Sequence, residues 1–298
     1  MSIEKYLAGN CYSEIKVGQS GADVYNINGD MILKHVERKK LEANLFDTYA
    51  REALFYQNKS QNAGGYLPTI IGLEISGDEI IILMKKYSCL DRNSIDEQMI
   101  RKVTNTLASI HTDSIPEFLE RDKKQAKAFS ELQIEEYLKG WNSILNEHPG
   151  SFNDVFLKDI AKNINGIIAW HDKEKRVLIH GDFHWDNLLI DDYGNILICD
   201  WQSVGVGGAS GDLSFFMSRL GSDGIKLDPL FFLKCYSDAI MDISGETIDT
   251  KSIAGHIAAA NVITSFAFWH QFLHGAEVER VHGIYKKMVD DFRLIEAL

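Results

Sequence analysis

The stretch Val177-Leu-Ile-His180-Gly-Asp182-Phe-His184-Trp-Asp186-Asn187-Leu-Leu-Ile190, followed by Asp200-Trp-Gln202, carries most of the information in this sequence. Two histidines, two aspartates and an asparagine occupy the window 180–187, between two short apolar β-prone runs. Leu188–Ile190 and Ile196–Ile198 flank Asp191-Asp-Tyr-Gly-Asn195, a composition that predicts a tight hairpin. Folding the chain back there carries Asp200 toward Asn187. A carboxylate and an amide oxygen on adjoining segments make a hard-oxygen site suited to Mg²⁺, which keeps waters and takes substrate phosphates. Asp182, upstream of Asn187, is then expected at the cleft edge as a base or orienting group for an attacking hydroxyl.

Outward from that stretch, the N-terminal part reads as β-rich. Residues 14–17, 23–27 and 31–36 are short β-prone runs punctuated by Gly18, Gly21 and the turn Asn28-Gly29-Asp30. The period then changes: Phe46, Tyr49, Ala53 and Tyr56 fall at spacings of three and four, which predicts an amphipathic helix. A further hairpin is expected over 70–84, turning at Ser76-Gly77-Asp78-Glu79. Beyond about residue 90 the pattern is mainly helical, with Ser94 and Glu97 as a capping box before Met99, Val103, Leu107 and Ile110. Residues 230–241 and 258–273 read as further helices. The fold class is therefore α+β, with a β-rich N-terminal lobe (1–87) and a mainly helical C-terminal lobe (88–298) containing an embedded hairpin.

His180-x-Asp182-x4-Asn187 followed by Asp200 resembles the catalytic loop and metal-binding aspartate of the aminoglycoside phosphotransferase family, which includes choline, ethanolamine and fructosamine kinases. The resemblance implies a two-lobed, protein-kinase-like fold and a kinase for small molecules, using ATP or GTP with Mg²⁺. It implies that Asp182 is the catalytic base, that Asn187 and Asp200 hold magnesium, and that His180 anchors the loop. Gly18-Gln-Ser20-Gly21 resembles the phosphate-covering loop. Lys34 sits where the family places its phosphate-contacting lysine, Glu52 where it places that lysine's ion-pair partner, and Met84 where a strand leads to the adenine site. His111 matches a structural histidine ending a helix, and Asp212 in Gly211-Asp212-Leu213 matches a residue that braces the loop.

The sequence also departs from protein kinases. It has His-Gly-Asp in place of His-Arg-Asp, Asp-Trp-Gln in place of Asp-Phe-Gly, and no Ala-Pro-Glu. The short interval between Trp201 and Asp212 leaves no room for a long activation segment, which points to a small molecule as acceptor. An acceptor of the aminoglycoside type is expected, with choline, ethanolamine or a sugar as the alternative. Glu277, Glu279, Trp269 and Tyr285 are candidates to contact it. Two rivals stay open at this point: a metal-dependent hydrolase with His180, Asp182, His184 and Asp200 as ligands, and a nucleotide-binding pseudokinase.

A formal net charge of −12 argues against a nucleic-acid partner and is compatible with a cationic substrate. No obligatory protein partner is evident. No apolar run approaches the roughly 20 residues of a membrane span, and the N-terminus lacks the apolar segment of a signal peptide. Cys11, Cys89, Cys199 and Cys235 lie far apart without a CxxC, as expected for reduced thiols in the cytoplasm.

Overall fold

The computed structural model describes residues 3–15, 21–59, 65–91, 95–120, 127–150, 152 and 155–297. The chain divides into two compact units. One comprises Met1–Asp122, Val177–Val206 and Phe215–Glu246; the other comprises Lys123–Arg176, Gly207–Ser214 and Thr247–Leu298.

The first unit opens with α1 (Glu4–Leu7), β1 (Tyr12–Glu14), β2 (Asp23–Ile27) and β3 (Met31–Glu37). There follow α2 (Ala43–Lys59), β4 (Ile70–Ile75), β5 (Glu79–Lys85), β6 (Ser88–Cys89), α3 (Glu97–Thr112) and α4 (Glu117–Glu120). The chain continues through α5 (Glu131–Asn146) and α6 (Val155–His171) in the second unit, then β7 (Arg176–Ile179), β8 (Leu188–Ile190), β9 (Ile196–Ile198) and β10 (Gly205–Gly208). It ends with α7 (Ala209–Ser222), α8 (Pro229–Ser244), α9 (Thr250–Phe268) and α10 (Val278–Glu296).

Five strands form one sheet in the order β1-β2-β3-β5-β4, with every pairing antiparallel. Strand alternation decides what each face carries. Ile27, Leu33, Ile81 and Leu83 make a small core under Tyr6 and Leu7, so Lys34, next to Leu33, belongs to the opposite face. The β2–β3 turn is tight because Asn28 and Gly29 both take positive φ, 53° and 87°. On α2, Tyr49, Ala53 and Tyr56 are fully buried, and helical spacing puts Glu52 on the same face. A separate three-stranded sheet runs β6-β8-β9. Its hairpin is closed by Asp191, whose Oδ1 accepts hydrogen bonds from the Tyr193 and Asn195 backbone N–H groups at 2.9 and 2.8 Å.

In the second unit α5, α6, α9 and α10 bury a core that includes Trp141, Ile164, Phe266 and Met288. Trp141 Nε1 donates to the Phe266 carbonyl at 3.1 Å, so even its polar edge is satisfied.

The α+β class, the N-terminal sheet and the embedded hairpin agree with the sequence reading. Three details do not. The helix expected to start at a Ser94–Glu97 capping box begins at Glu97 with Asp96 as its cap, accepting from Met99 N at 2.8 Å; Ser94 lies outside the described residues. Second, a capping box stands at Ser130 and Gln133 of α5, where the sequence reading placed none. Third, Thr250–Phe272 is long and apolar enough to cross a membrane by length and composition, where no such run was expected. Its apolarity follows from packing: 56% of that window is buried, in contact with α5, α6 and α10.

Candidate active site

Lys34 rises from β3 into a setting of opposite charge. Its Nζ donates to Glu52 Oε2 at 2.7 Å and to Asp200 Oδ1 at 3.1 Å, and stands 4.8 Å from the centre of the Tyr49 ring. Glu52 is 1% exposed, unlike an ordinary helical glutamate. Burial acts to lower the Lys34 pKa, but the two carboxylates outweigh it and hold the ammonium well above its usual range. Burial also pushes the Glu52 carboxyl up, against the pull of Lys34.

Asp200 follows β9 with φ 64° and ψ 61°, left-handed geometry that an aspartate tolerates better than a bulkier residue. Trp201 accounts for this posture. It is fully buried, stacks on Phe55 of α2 with ring centroids 4.3 Å apart, and donates Nε1–H to the Ile198 carbonyl at 2.9 Å. The tryptophan therefore ties the residue after Asp200 to the helix that carries Glu52. Gln202 Nε2 donates to the same Asp200 oxygen as Lys34.

The loop after β7 is assembled by backbone contacts. His180 Nδ1 accepts from the Asp182 N–H at 3.3 Å, so Nε2 carries the proton and donates to the Cys199 carbonyl at 3.0 Å. Both ring nitrogens are thus engaged, which removes His180 as a metal ligand and with it the hydrolase ligand set. Gly181 explains the missing arginine: its φ is +80°, and a Cβ there would lie 2.3 Å from the Ser203 carbonyl oxygen.

Asn187 Nδ2 donates to the Asp182 carbonyl at 2.9 Å and contacts Asp182 Oδ2 at 3.4 Å. The Cys199 N–H donates to the Asn187 carbonyl at 3.0 Å. Asp182 and Asn187 are thus hydrogen-bonded to each other, Asp200 and Glu52 share Lys34, and the two groups meet through Cys199, whose N–H is bonded to the Asn187 carbonyl and which precedes Asp200 in the chain. His184 Nε2 lies 3.5 Å from Asp182 Oδ2, and it is the first cause, ahead of opposing burial, of an Asp182 pKa held below the usual carboxylate range.

Of the remaining expected residues, Gly18 and Ser20 lie outside the described residues. Gly21 is exposed with φ +74°. Met84 is buried on β5, paired with Ile32 and Ile70. His111 is buried and its Nδ1 lies 2.7 Å from the Tyr236 hydroxyl. Asp212 is buried in the first turn of α7. Tyr285 belongs to the helical core, while Glu277 and Glu279 are exposed at the start of α10. Sequence reasoning gave Trp201 no role and named His184 only as a ligand of the rival hydrolase, not as the partner of Asp182; an indole directly after Asp200 was the signal for the first.

Known structures share this fold over nearly the whole chain. The ADP-bound aminoglycoside phosphotransferase APH(2'')-Ib is 14% identical with a TM-score of 0.59, covering 98% of this chain and 97% of that one. An ethanolamine kinase of Plasmodium vivax is 11% identical at the same TM-score, covering 98% of this chain and 83% of that one. The spectinomycin phosphotransferase APH(9)-Ia, in complex with ADP and spectinomycin, is 14% identical with a TM-score of 0.53, covering 99% and 93%. No curated protein matches the sequence. Residues 12–227, well over half of the chain, match the phosphotransferase enzyme family (APH), and the protein belongs to that family.

Proposed function

We propose that the protein transfers the γ-phosphoryl group of ATP or GTP to a hydroxyl of a small cationic amino alcohol, of the aminoglycoside type. The observation that supports this reading is the pairing of Lys34 with Glu52 and Asp200, joined through Cys199 to the hydrogen-bonded Asn187 and Asp182. In it Lys34, positioned by Glu52, binds phosphate oxygens; Gly18, Ser20 and Gly21 belong to the loop that covers them; Met84 contributes to the adenine site.

The donor set fits Mg²⁺. Asn187 uses its amide N–H on Asp182, which leaves Oδ1 as a neutral oxygen donor, and the Asp200 side chain is 40% exposed. When bound at Asn187 and Asp200, the ion would offset negative charge on the phosphates. Asp182, kept anionic by His184, accepts the hydrogen bond of the acceptor hydroxyl and orients it. Its low basicity suits a loose transition state that needs positioning more than early proton removal.

A small acceptor is supported by the chain after Asp200. A short 3₁₀ turn over Trp201–Ser203, then β10, then α7 from Ala209 take up the interval, so no long segment is available to recognise a protein. The net charge of −12 favours a cationic acceptor. The likeness to an ethanolamine kinase supports a second reading, in which the acceptor is a smaller amino alcohol.

The test is a panel of aminoglycosides, ethanolamine, choline and neutral sugars, followed by nucleoside diphosphate release and by the mass gain of one phosphoryl group. Turnover with an aminoglycoside is expected. Turnover confined to ethanolamine or choline selects the second reading. Nucleotide binding without transfer to any member would contradict both and leave a pseudokinase.

A further inference from the structure

One cluster of ligand-type side chains in the second unit plays no part in phosphoryl transfer. His171 ends α6, Glu174 lies in the turn after it, and His256 sits on α9. One ligand atom from each lies within 4.8 Å of the others. His256 is buried, at 8% exposed, and His171 is partly buried. The Nδ1 atoms of both imidazoles are inaccessible to solvent and have no hydrogen-bond partner among the described residues. Buried polar nitrogens are ordinarily satisfied, so two orphans beside one carboxylate call for a reason.

The surroundings hold two of the three groups in place. His256 stacks on Trp170 at 4.2 Å and 13°, which fixes the plane of its ring. Glu174 takes hydrogen bonds from the Ser210 backbone N–H at 2.9 Å and from the Ser210 hydroxyl. Gly208 makes room for it, since a Cβ there would fall 1.9 Å from Glu174 Oε2. These contacts account for Glu174 as a latch on residue 210, but not for the two imidazoles gathered beside it.

We infer that His171, Glu174 and His256 bind one divalent transition-metal ion of the zinc class. Two imidazole nitrogens and a carboxylate are a known zinc donor set, with Ser210 as the outer partner that orients the carboxylate. His171 Nδ1 and Glu174 Oε2 stand 4.0 Å apart. Ligand atoms bonded at about 2.0–2.2 Å to one ion must draw closer by about 1 Å, within reach of side-chain rotation. Burial holds both histidines below their usual pKa, in the neutral form that a metal takes. The site shares no residue with the phosphotransfer patch, so it stands or falls independently of the proposed reaction.

The experiment uses the full chain stripped with a chelator. Zn²⁺ is titrated against a chromophoric competitor, and Co²⁺ binding is followed by visible absorption. One tight equivalent of zinc is expected, with the intense d–d bands of a four- or five-coordinate cobalt complex. His256→Gln and His171→Gln should each weaken zinc binding about 100-fold or more, since loss of an outer partner alone costs about 10–100-fold. Asp200→Ala should leave it unchanged. No tight equivalent, or one that survives in folded His256→Gln, or one lost with Asp200→Ala, overturns the inference. Should the histidine variants fail to fold, the wild-type cobalt spectrum decides: the weak bands of six-coordinate Co²⁺ would refute the site.

Discussion

Asp182 owes its low pKa first to His184, against the opposing effect of burial. A carboxyl whose folded pKa lies below its ordinary value of about 3.9 contributes stability above that pH, and the contribution is lost as pH falls through the lower folded value. No acid limb from Asp182 is therefore expected above about pH 4 in a kcat/KM profile at saturating nucleotide. His184→Ala should move that limb upward; an unmoved limb would count against the assigned cause. Lys34 and Glu52 form a buried pair, so Lys34→Met should cost about 3–5 kcal/mol in a denaturant titration by stranding Glu52. Adding Glu52→Gln should recover much of the loss. Gly181→Ala should destabilise the fold by about 2 kcal/mol or more, because a positive φ and the Ser203 carbonyl both oppose a side chain. The roles proposed for Asp182, Asn187 and Asp200 were suggested by residue type and spacing together with the family resemblance. The reason for glycine at 181 was not, because it depends on a carbonyl contributed from residue 203.

The hairpin β8–β9 and the sheet were legible because turn chemistry and strand alternation are local signals, written in Asn28-Gly29 and Asp191-Asp-Tyr-Gly-Asn195. The start of α3 was misplaced because Ser94 and Asp96 are both good caps, and only the folded chain selects Asp96. Trp201 joins two elements far apart in sequence, so its stack on Phe55 could not be read from either. Replacing it by the phenylalanine of protein kinases should lower stability by about 1–3 kcal/mol, since the Ile198 hydrogen bond and part of the stack are lost. An unchanged Tm for Trp201→Phe would show that this link carries little. The thiols give an independent check on packing. Cys11 and Cys89 are exposed and should react in a fast phase with a disulfide reagent, while Cys235 is buried and burial pushes the Cys199 thiol up to about 12. More than two fast thiols would contradict the packing around Cys199.

Taken as a whole, the molecule carries a net charge of −12, so attraction of a cationic acceptor should weaken with salt. At saturating nucleotide, kcat/KM for such an acceptor should fall as ionic strength rises, whereas a neutral sugar should show little change. The family and the α+β fold were legible because the catalytic stretch and the order of the remaining parts agree along residues 12–227. What could not be read was long-range: the apolar helix α9 as the centre of a helical core, and the meeting of His171 with His256 across an interval of sequence that has no local pattern. The most direct test of the phosphotransfer centre is Mg-nucleotide binding by calorimetry, beside acceptor turnover, for wild type, Asp182→Ala and Asp200→Ala. The expected result is that Asp182→Ala binds nucleotide within about threefold of wild type yet loses about 10³-fold or more in kcat, while Asp200→Ala loses Mg-nucleotide binding. Full turnover in Asp182→Ala, or undiminished Mg-nucleotide binding in Asp200→Ala, would contradict the account.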